Sequence, residues 1–261
     1  MKDREKIIRY YQGTDNGELA ARLIDLADSV LRGKPYRVSE FLSPLGMQIA
    51  ETIQAQEKNL ELQSSGGYEG AERIRAAFVN PDYAGTVDFG IRACKITWDD
   101  RYRMIGHRDI LGSLIGLGID RNRFGDIIVR DNTATVLADA ALLEYLKQNL
   151  LKISIVRVEV EEAELAELQP REEKVKEIRT TVASLRLDAI ASSGFGLSRT
   201  KTVEAIKGDR LQVNWLPAKG PAQEVAKGDI ISFRGRGRME VAQITGQSRK
   251  GRIGVLLKRY I

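Results

Sequence analysis

The stretch RLDAIASSGFGLSRTKTVEAIKGDRLQVN, residues 186–214, reads as two short helices followed by a strand. Leu187, Ile190 and Ala191 form one apolar stripe, and Val203 and Ile206 form a second at helical spacing. Gly194 and Gly196 break the chain between them, Ser198 suits the N-cap of the second helix, and Gly208 suits its end. The cations Arg186, Arg199, Lys201, Lys207 and Arg210 are left on the polar face. A helix N-terminus beside such groups is a seat for phosphate, since both present donors and positive charge. The plain alternative is a solvated helical hairpin whose basic face does nothing.

The distribution of charge argues against that alternative. Residues 182–261 hold fifteen Lys and Arg against six Asp and Glu, a net of +9. The whole chain carries only +5, so residues 1–181 carry −4. A basic module is thus joined to a mildly acidic body, the pattern of one polyanion-binding surface. The cations continue past the helices in FRGRGRME (Arg234, Arg236, Arg238) and GQSRKGRIG (Arg249, Lys250, Arg252). On an extended strand the alternation of Arg234, Arg236 and Arg238 would point all three the same way.

This C-terminal stretch resembles the S4 RNA-binding domain. The resemblance rests on Arg186-Leu187-Asp188, on Ser198-Arg199 ten residues after the aspartate, on Gly208 before the Val213-Asn214 strand, and on the later Gly228-Asp229. It implies RNA contact through Arg186, Ser198, Arg199, Lys201 and Thr202, with Asn214 in the V-N position and Trp215 where glycine is more usual. The neighbouring cations Lys207, Arg210, Arg234, Arg236, Arg238, Arg249, Lys250 and Arg252 extend that face.

At 261 residues and 43% hydrophobic content, the chain is long enough for two or three domains. The N-terminus, MKDREKIIRYYQG, is charged and lacks a signal-peptide core, and no apolar run approaches the ~18 residues of a membrane span. The expectation is a cytoplasmic protein. Cys94 is the single cysteine and His107 the single histidine, which removes internal disulfides, Cys-rich zinc sites and His clusters. No metal or cofactor is expected. Cys94, inside IRACKITW, reads as a buried strand residue.

The fold class expected is α+β in three parts. Residues 1–84 form a mostly helical N-terminal domain. DNGELAARLIDLADSVLRG and VSEFLSPLGMQIAETIQAQ are its helices, the second with Ser43 and Pro44 near its start, and NLELQSS and RIRAAFV are a strand pair. Residues 85–168 read strand, helix, strand, strand, helix, strand, the βαββαβ order of a ferredoxin-like or RNA-recognition-motif-like domain. Its helix HRDILGSLIGLG is expected to bury Ile110, Leu111, Leu114, Ile115 and Leu117, with Gly112 and Gly116 close to the sheet. Its third strand, TATVLAD, has no aromatic on which a base could stack, so the fold order does not by itself bring RNA binding. Residues 169–181 are a charged connector, since eight acids fall between 159 and 177 and Pro170 interrupts them. Residues 182–261 form the S4-like domain.

Two motifs suggest enzymes and fail on context. Asp88-Phe89-Gly90 and His107-Arg108-Asp109 look like kinase signatures in the wrong order, with Leu114 where the metal-binding Asn belongs. Arg186-Leu187-Asp188 could suggest a pseudouridine synthase, but the triplet lies inside the S4-like segment itself. No catalytic residue is assigned. His107, Arg108, Arg121 and Arg123 flank the central helix and are either a solvated rim or a second RNA patch.

GGYEGAER (66–73), HRDILGSLIGLGIDRNRFGDI (107–127) and SLRLDAIASSGFGLSR (184–199), in that order, make the whole chain similar to the YlmH family, which is related to photosystem II S4-domain proteins. The resemblance implies a non-enzymatic bacterial RNA-binding protein of the large ribosomal subunit, acting near peptidyl-tRNA in rescue of stalled translation. Its partners would be rRNA and tRNA, without membrane or small-molecule substrate, and it would act as a monomer. An RNA-modifying enzyme of pseudouridine-synthase type, or a scaffold tethered to RNA by the S4-like domain, are the alternatives.

Overall fold

Leu23, Ile24, Ala27 and Val30 fall on one face of a helix over Asn16–Leu31 (α2), and all four are buried. The computed structural model describes residues 4–11, 16–99, 101, 104–168, 175–247 and 251–260. They form two compact units, residues 1–171 and 172–261.

In the first unit a short helix, α1 (Arg4–Tyr10), precedes α2. The helix expected next does start at Ser43 and Pro44, but the residues ahead of them depart from expectation. Tyr36–Leu42 is a strand (β1), and helix α3 begins only at Pro44 and ends at Gln54. Proline explains the break: it fits the first helical turn, but it disfavours helical backbone in the residue before it. Ser43 therefore becomes the N-cap, its Oγ accepting from the Gly46 N–H at 3.2 Å. Freed from the helix, β1 pairs antiparallel with β3 (Ile74–Val79), which also pairs with β2 (Glu61–Ser65). The expected strand pair is thus a three-stranded sheet, against which α2 and α3 bury Leu42, Ile49, Ile53 and Phe78.

The next elements are β4 (Ile91–Trp98), α4 (His107–Gly116), β5 (Phe124–Arg130), β6 (Thr133–Asp139), α5 (Leu143–Asn149), β7 (Lys152–Ile153) and β8 (Val156–Ala163). The sheet order is β5-β6-β4-β8-β7, so the first and third strands of βαββαβ lie side by side in the centre, as in ferredoxin-like folds. The two-residue β7 is an addition that makes a hairpin with β8. Ile110 and Leu114 of α4 are fully buried against this sheet, but Ile115 is 50% exposed. Gly112 and Gly116 are exposed, and a Cβ on either would meet nothing. The expected close approach through those glycines is therefore not made, because α4 turns Ile110 and Leu114 inward, with Leu111 and Leu117 half-buried beside them. Gly118, at φ +79°, ends the helix as its position suggests. Cys94 is buried in β4, and its thiol is pushed up to about 12, first by burial and then by the charge of Glu162. It is held as a thiol at neutral pH.

The second unit starts with β9 (Val175–Val182), which pairs along its whole length with β14 (Ile253–Tyr260). Most of the expected connector, residues 175–181, is thus sheet. Its alternation of charge hides a strand with only one buried position, Val182. Residues 169–174 lie outside the described residues. After β9 come α6 (Leu187–Phe195), α7 (Arg199–Lys207), β10 (Leu211–Val213), β11 (Leu216–Pro217), β12 (Ile230–Phe233) and β13 (Gly237–Gln247). The antiparallel order is β11-β10-β12-β13-β14-β9. Leu187, Ile190, Phe195 and Ile206 close the helices over Leu211, Ile231, Met239 and Leu257. Gly196, at φ +66°, caps α6, and Ser198 caps α7 through the Lys201 N–H at 3.3 Å.

Between β10 and β11 only Asn214 and Trp215 intervene, at φ +50° and +62°. A two-residue hairpin loop with both residues left-handed is a type I′ turn. Trp215 holds the position where glycine would be unstrained, which for an L-residue costs roughly 1–2 kcal/mol. Asn214 secures the turn: its Nδ2 donates to Asp229 Oδ1 at 2.8 Å, and its Oδ1 accepts from the Ile230 N–H at 2.9 Å.

Candidate nucleic-acid interface

The polar ends of α6 and α7 meet at one buried carboxylate. Asp188, in the first turn of α6, accepts from Arg186 through both oxygens at 3.2 Å and from Arg199 Nη2 at 3.0 Å. The Asp188 side chain is 5% exposed, whereas Arg186 and Arg199 are 42% and 58% exposed. Burial pushes the Asp188 carboxyl up, but the hydrogen bonds from Arg186 and Arg199 and their charges outweigh it, leaving the group below its usual range. Two of the expected RNA-contacting arginines are thus oriented and half neutralised by one acid. Lys201 and Lys207 are exposed, and among the described residues no carboxylate pairs with either side chain.

Two other expected contacts are structural. Thr202 is 0% exposed, and its Oγ1 donates to the Ser198 carbonyl at 3.1 Å, because it lies on the inner face of α7. Asn214 spends its side chain on the turn described above. Ser198 is exposed but uses its hydroxyl as the α7 cap.

Arg234, Arg236 and Arg238 do not share a strand face. Arg234, Gly235 and Arg236 form the loop between β12 and β13, with the Arg236 N–H donating to the Phe233 carbonyl at 2.9 Å. Gly235 sits at φ +81°, in the turn position that demands glycine. The alternating Arg-Gly pattern is therefore a hairpin loop. Arg238 belongs to β13 and lies over the Tyr260 ring at 4.9 Å. Arg252 is pinned on β9, its Nε donating to Thr181 Oγ1 at 2.9 Å and its Nη2 to the Thr181 carbonyl. Arg249 and Lys250 lie outside the described residues.

The loop folds its cations around aromatic rings. The Arg210 and Arg236 guanidinium carbons stand 5.3 and 5.7 Å from the Phe233 ring centre. Phe233 meets Phe195 edge-on at 5.3 Å, and Arg259 stands 5.4 Å from the Phe195 ring. Arg210, Arg236 and Arg259, with Gly235, Gly237 and Tyr260, line an open concavity. Arg259 and Tyr260 escape sequence reasoning because nothing in IGVLLKRY marks one strand-end cation from another; only its pairing next to β13 places it here.

The proposed patch around the central helix separates. His107 and Arg108 are exposed at the start of α4. Arg121 and Arg123 lie beyond its other end, about 15 Å away along a ten-residue helix. Arg121 Nη1 donates to the Phe124 and Gly125 carbonyls at 2.8 and 3.2 Å, and burial, with the charge of Arg73, brings it down to about 10. Arg123 pairs with Asp139 at 3.3 Å. Arg121 is an inward, structural arginine, and Arg123 is occupied by Asp139 at a half-exposed position.

They belong to a joint built by two of the sequence motifs. Asp126 of the FGDI segment accepts from Tyr68 Oη at 2.7 Å and from the Glu72 and Arg73 N–H groups at 2.8 and 3.0 Å, all in GGYEGAER. Arg73 donates onward to the Phe124 and Phe41 carbonyls at 3.1 and 2.9 Å. Gly125 lets Phe41 approach, since a Cβ there would stand 2.7 Å from the Phe41 ring. The two most distinctive motifs of the first unit therefore fasten its two sheets together.

Residues 15–83 match the family model described as the N-terminal part of YlmH, and residues 85–167 match the putative RNA-binding domain in YlmH. The chain is also 31% identical over 227 residues to the "Ribosome-associated protein quality control protein P2" of Bacillus subtilis (strain 168), covering 85% of this chain and 87% of that protein. The chain belongs to the YlmH family. A solved structure, the cell division protein ylmH from Streptococcus pneumoniae, shares its fold with a TM-score of 0.51 at 24% identity, covering 60% of this chain and 96% of that one. Within this YlmH-family chain, no helix of the described residues is long and apolar enough to cross a membrane. Among those residues, no group of three or more His, Cys, Asp or Glu side chains is gathered as for a metal.

Proposed function

We propose that this YlmH-family protein is a non-enzymatic RNA-binding protein that docks on structured RNA of the large ribosomal subunit, beside peptidyl-tRNA on stalled ribosomes. Its C-terminal unit serves as an S4-like grip. The observation that carries the reading is the gathering of cations onto that unit, +9 against −4 for the remainder of the chain, with Lys201, Lys207, Arg210, Arg234 and Arg236 exposed. The relative's name, a ribosome-associated quality-control protein, supports the ribosome as the setting. Phosphate contacts would supply most of the affinity, and shape would supply most of the selection. Asp188 speaks against a synthase-like enzyme, because a carboxylate held by two guanidiniums is not available to attack a base.

Lys201 and Lys207 give the clean test, since neither holds the fold together. Lys201→Glu with Lys207→Glu is expected to weaken ribosome co-sedimentation tenfold or more and to flatten its salt dependence, by about one unit of log–log slope per lost phosphate contact. The melting midpoint should not move. Undiminished co-sedimentation by the folded variant would overturn the assignment of α7 to the interface.

A further inference from the structure

Five arginines of the second unit fall into two sets that, among the described residues, share no hydrogen bond, ion pair or ring. At the start of α7, Arg186 and Arg199 converge on Asp188, which removes one of their two charges. Beyond the end of α7, Arg210, Arg236 and Arg259 converge on the Phe233–Phe195 ring pair, and no carboxylate pairs with any of them among the described residues. Of the acids on neighbouring positions, Glu240 accepts from Tyr260 Oη at 3.0 Å, and Asp209 directly precedes Arg210 in sequence. The denser positive charge is thus in the concavity, not at the helix N-termini.

The three guanidiniums are also prepared for a ligand. Each is laid over a ring, which uses its face and leaves its edge donors available. Arg210 Nη2 points to the Arg234 carbonyl at 3.5 Å, and Arg259 Nη2 to the Arg236 carbonyl at 3.4 Å, so each of these two side chains is tethered at one end only. Gly235 adds an approachable backbone, since a Cβ there would meet nothing. Three like charges in one concavity repel one another until an anion arrives, and forked donors suit a phosphate.

We propose that this concavity is a second phosphate seat, taking a backbone phosphodiester from a different strand segment of RNA than the one that meets the start of α7. This rests on the RNA-binding reading and deepens it. The nine residues of α7, about 13 Å, separate Arg199 from the Lys207–Arg210 end. Two separate seats select RNA folded so that two backbone segments lie side by side.

The test uses the full-length chain, an RNA hairpin and a short single strand copied from one arm of it, titrated at several salt concentrations. Arg236→Gln with Arg259→Gln removes the charge and the forked donors while keeping a polar, uncharged side chain at each position. With the hairpin it should weaken binding tenfold or more and reduce the log–log salt slope by roughly one to two. Combining it with Lys201→Gln should give additive losses on the hairpin and less than additive losses on the single strand, which fills one seat at a time. Arg236→Lys with Arg259→Lys keeps the charges without the fork, so affinity should fall while the salt slope persists; it also serves if the glutamine pair fails to fold. An unchanged slope and affinity on the hairpin, in variants that melt normally, would overturn the second seat while leaving the RNA reading intact. A wild-type chain that binds neither RNA would overturn that reading itself.

Discussion

Replacing Asp188 by alanine is expected to destabilise the C-terminal unit by about 2–3 kcal/mol and to lower its melting midpoint by roughly 10 °C. The change removes the acceptor for two arginines and leaves Arg186 and Arg199 facing each other without a counter-charge. The arginines are about half exposed, so solvent screens much of the pairing; the figure reflects charge-assisted hydrogen bonds to a buried acid, not a fully buried ion pair. The pH dependence has a definite sign. The Asp188 carboxyl titrates below its ordinary value in the folded chain, so the folded state binds its proton more weakly than the unfolded state. Its contribution is fully present above the ordinary aspartate value of about 3.9 and is lost as pH falls toward and through the folded value. Asp188→Asn should therefore lose less of its melting temperature than the wild type as pH falls through the acid range. Identical acid limbs for the two would show that Asp188 is not held as described.

Asp126→Ala is expected to destabilise the first unit by about 3 kcal/mol as three donors lose their acceptor. Tyr68 Oη and the Glu72 and Arg73 N–H groups would all be left unsatisfied at the seam between the two sheets. Asp126→Asn keeps one acceptor oxygen and should fall between alanine and wild type. Urea unfolding of the full-length chain reads both, and a midpoint unmoved by the alanine would mean that the joint does not hold the sheets together.

The fold was most legible where one signal had no competitor. The βαββαβ order emerged from clean alternation between strand and helix patterns, and the α6–α7 pair from caps and breakers that the structure keeps, Gly196 and Ser198 among them. It was least legible where two signals overlapped. YRVSEFL is apolar enough to continue into a helix, and only Pro44 reveals that it cannot. In β9, charge concealed a strand whose pairing is long-range. The candidate interface was half legible. Net charge located the unit, but sequence could not tell exposed cations from occupied ones. Thr202 and Arg121 turn out to be bonded inward, and Arg123 and Arg252 are held by partners while staying partly or fully exposed. Arg259 looked ordinary and lines the concavity.

Crosslinking the protein to RNA in cells, then sequencing the RNA and mapping the crosslinked peptides, tests the central claim most directly. The account predicts crosslinks on large-subunit rRNA and tRNA, with peptides from α7, the β12–β13 loop and the end of β14. Crosslinks confined to messenger RNA, or peptides drawn from the central sheet instead of the C-terminal unit, would contradict it.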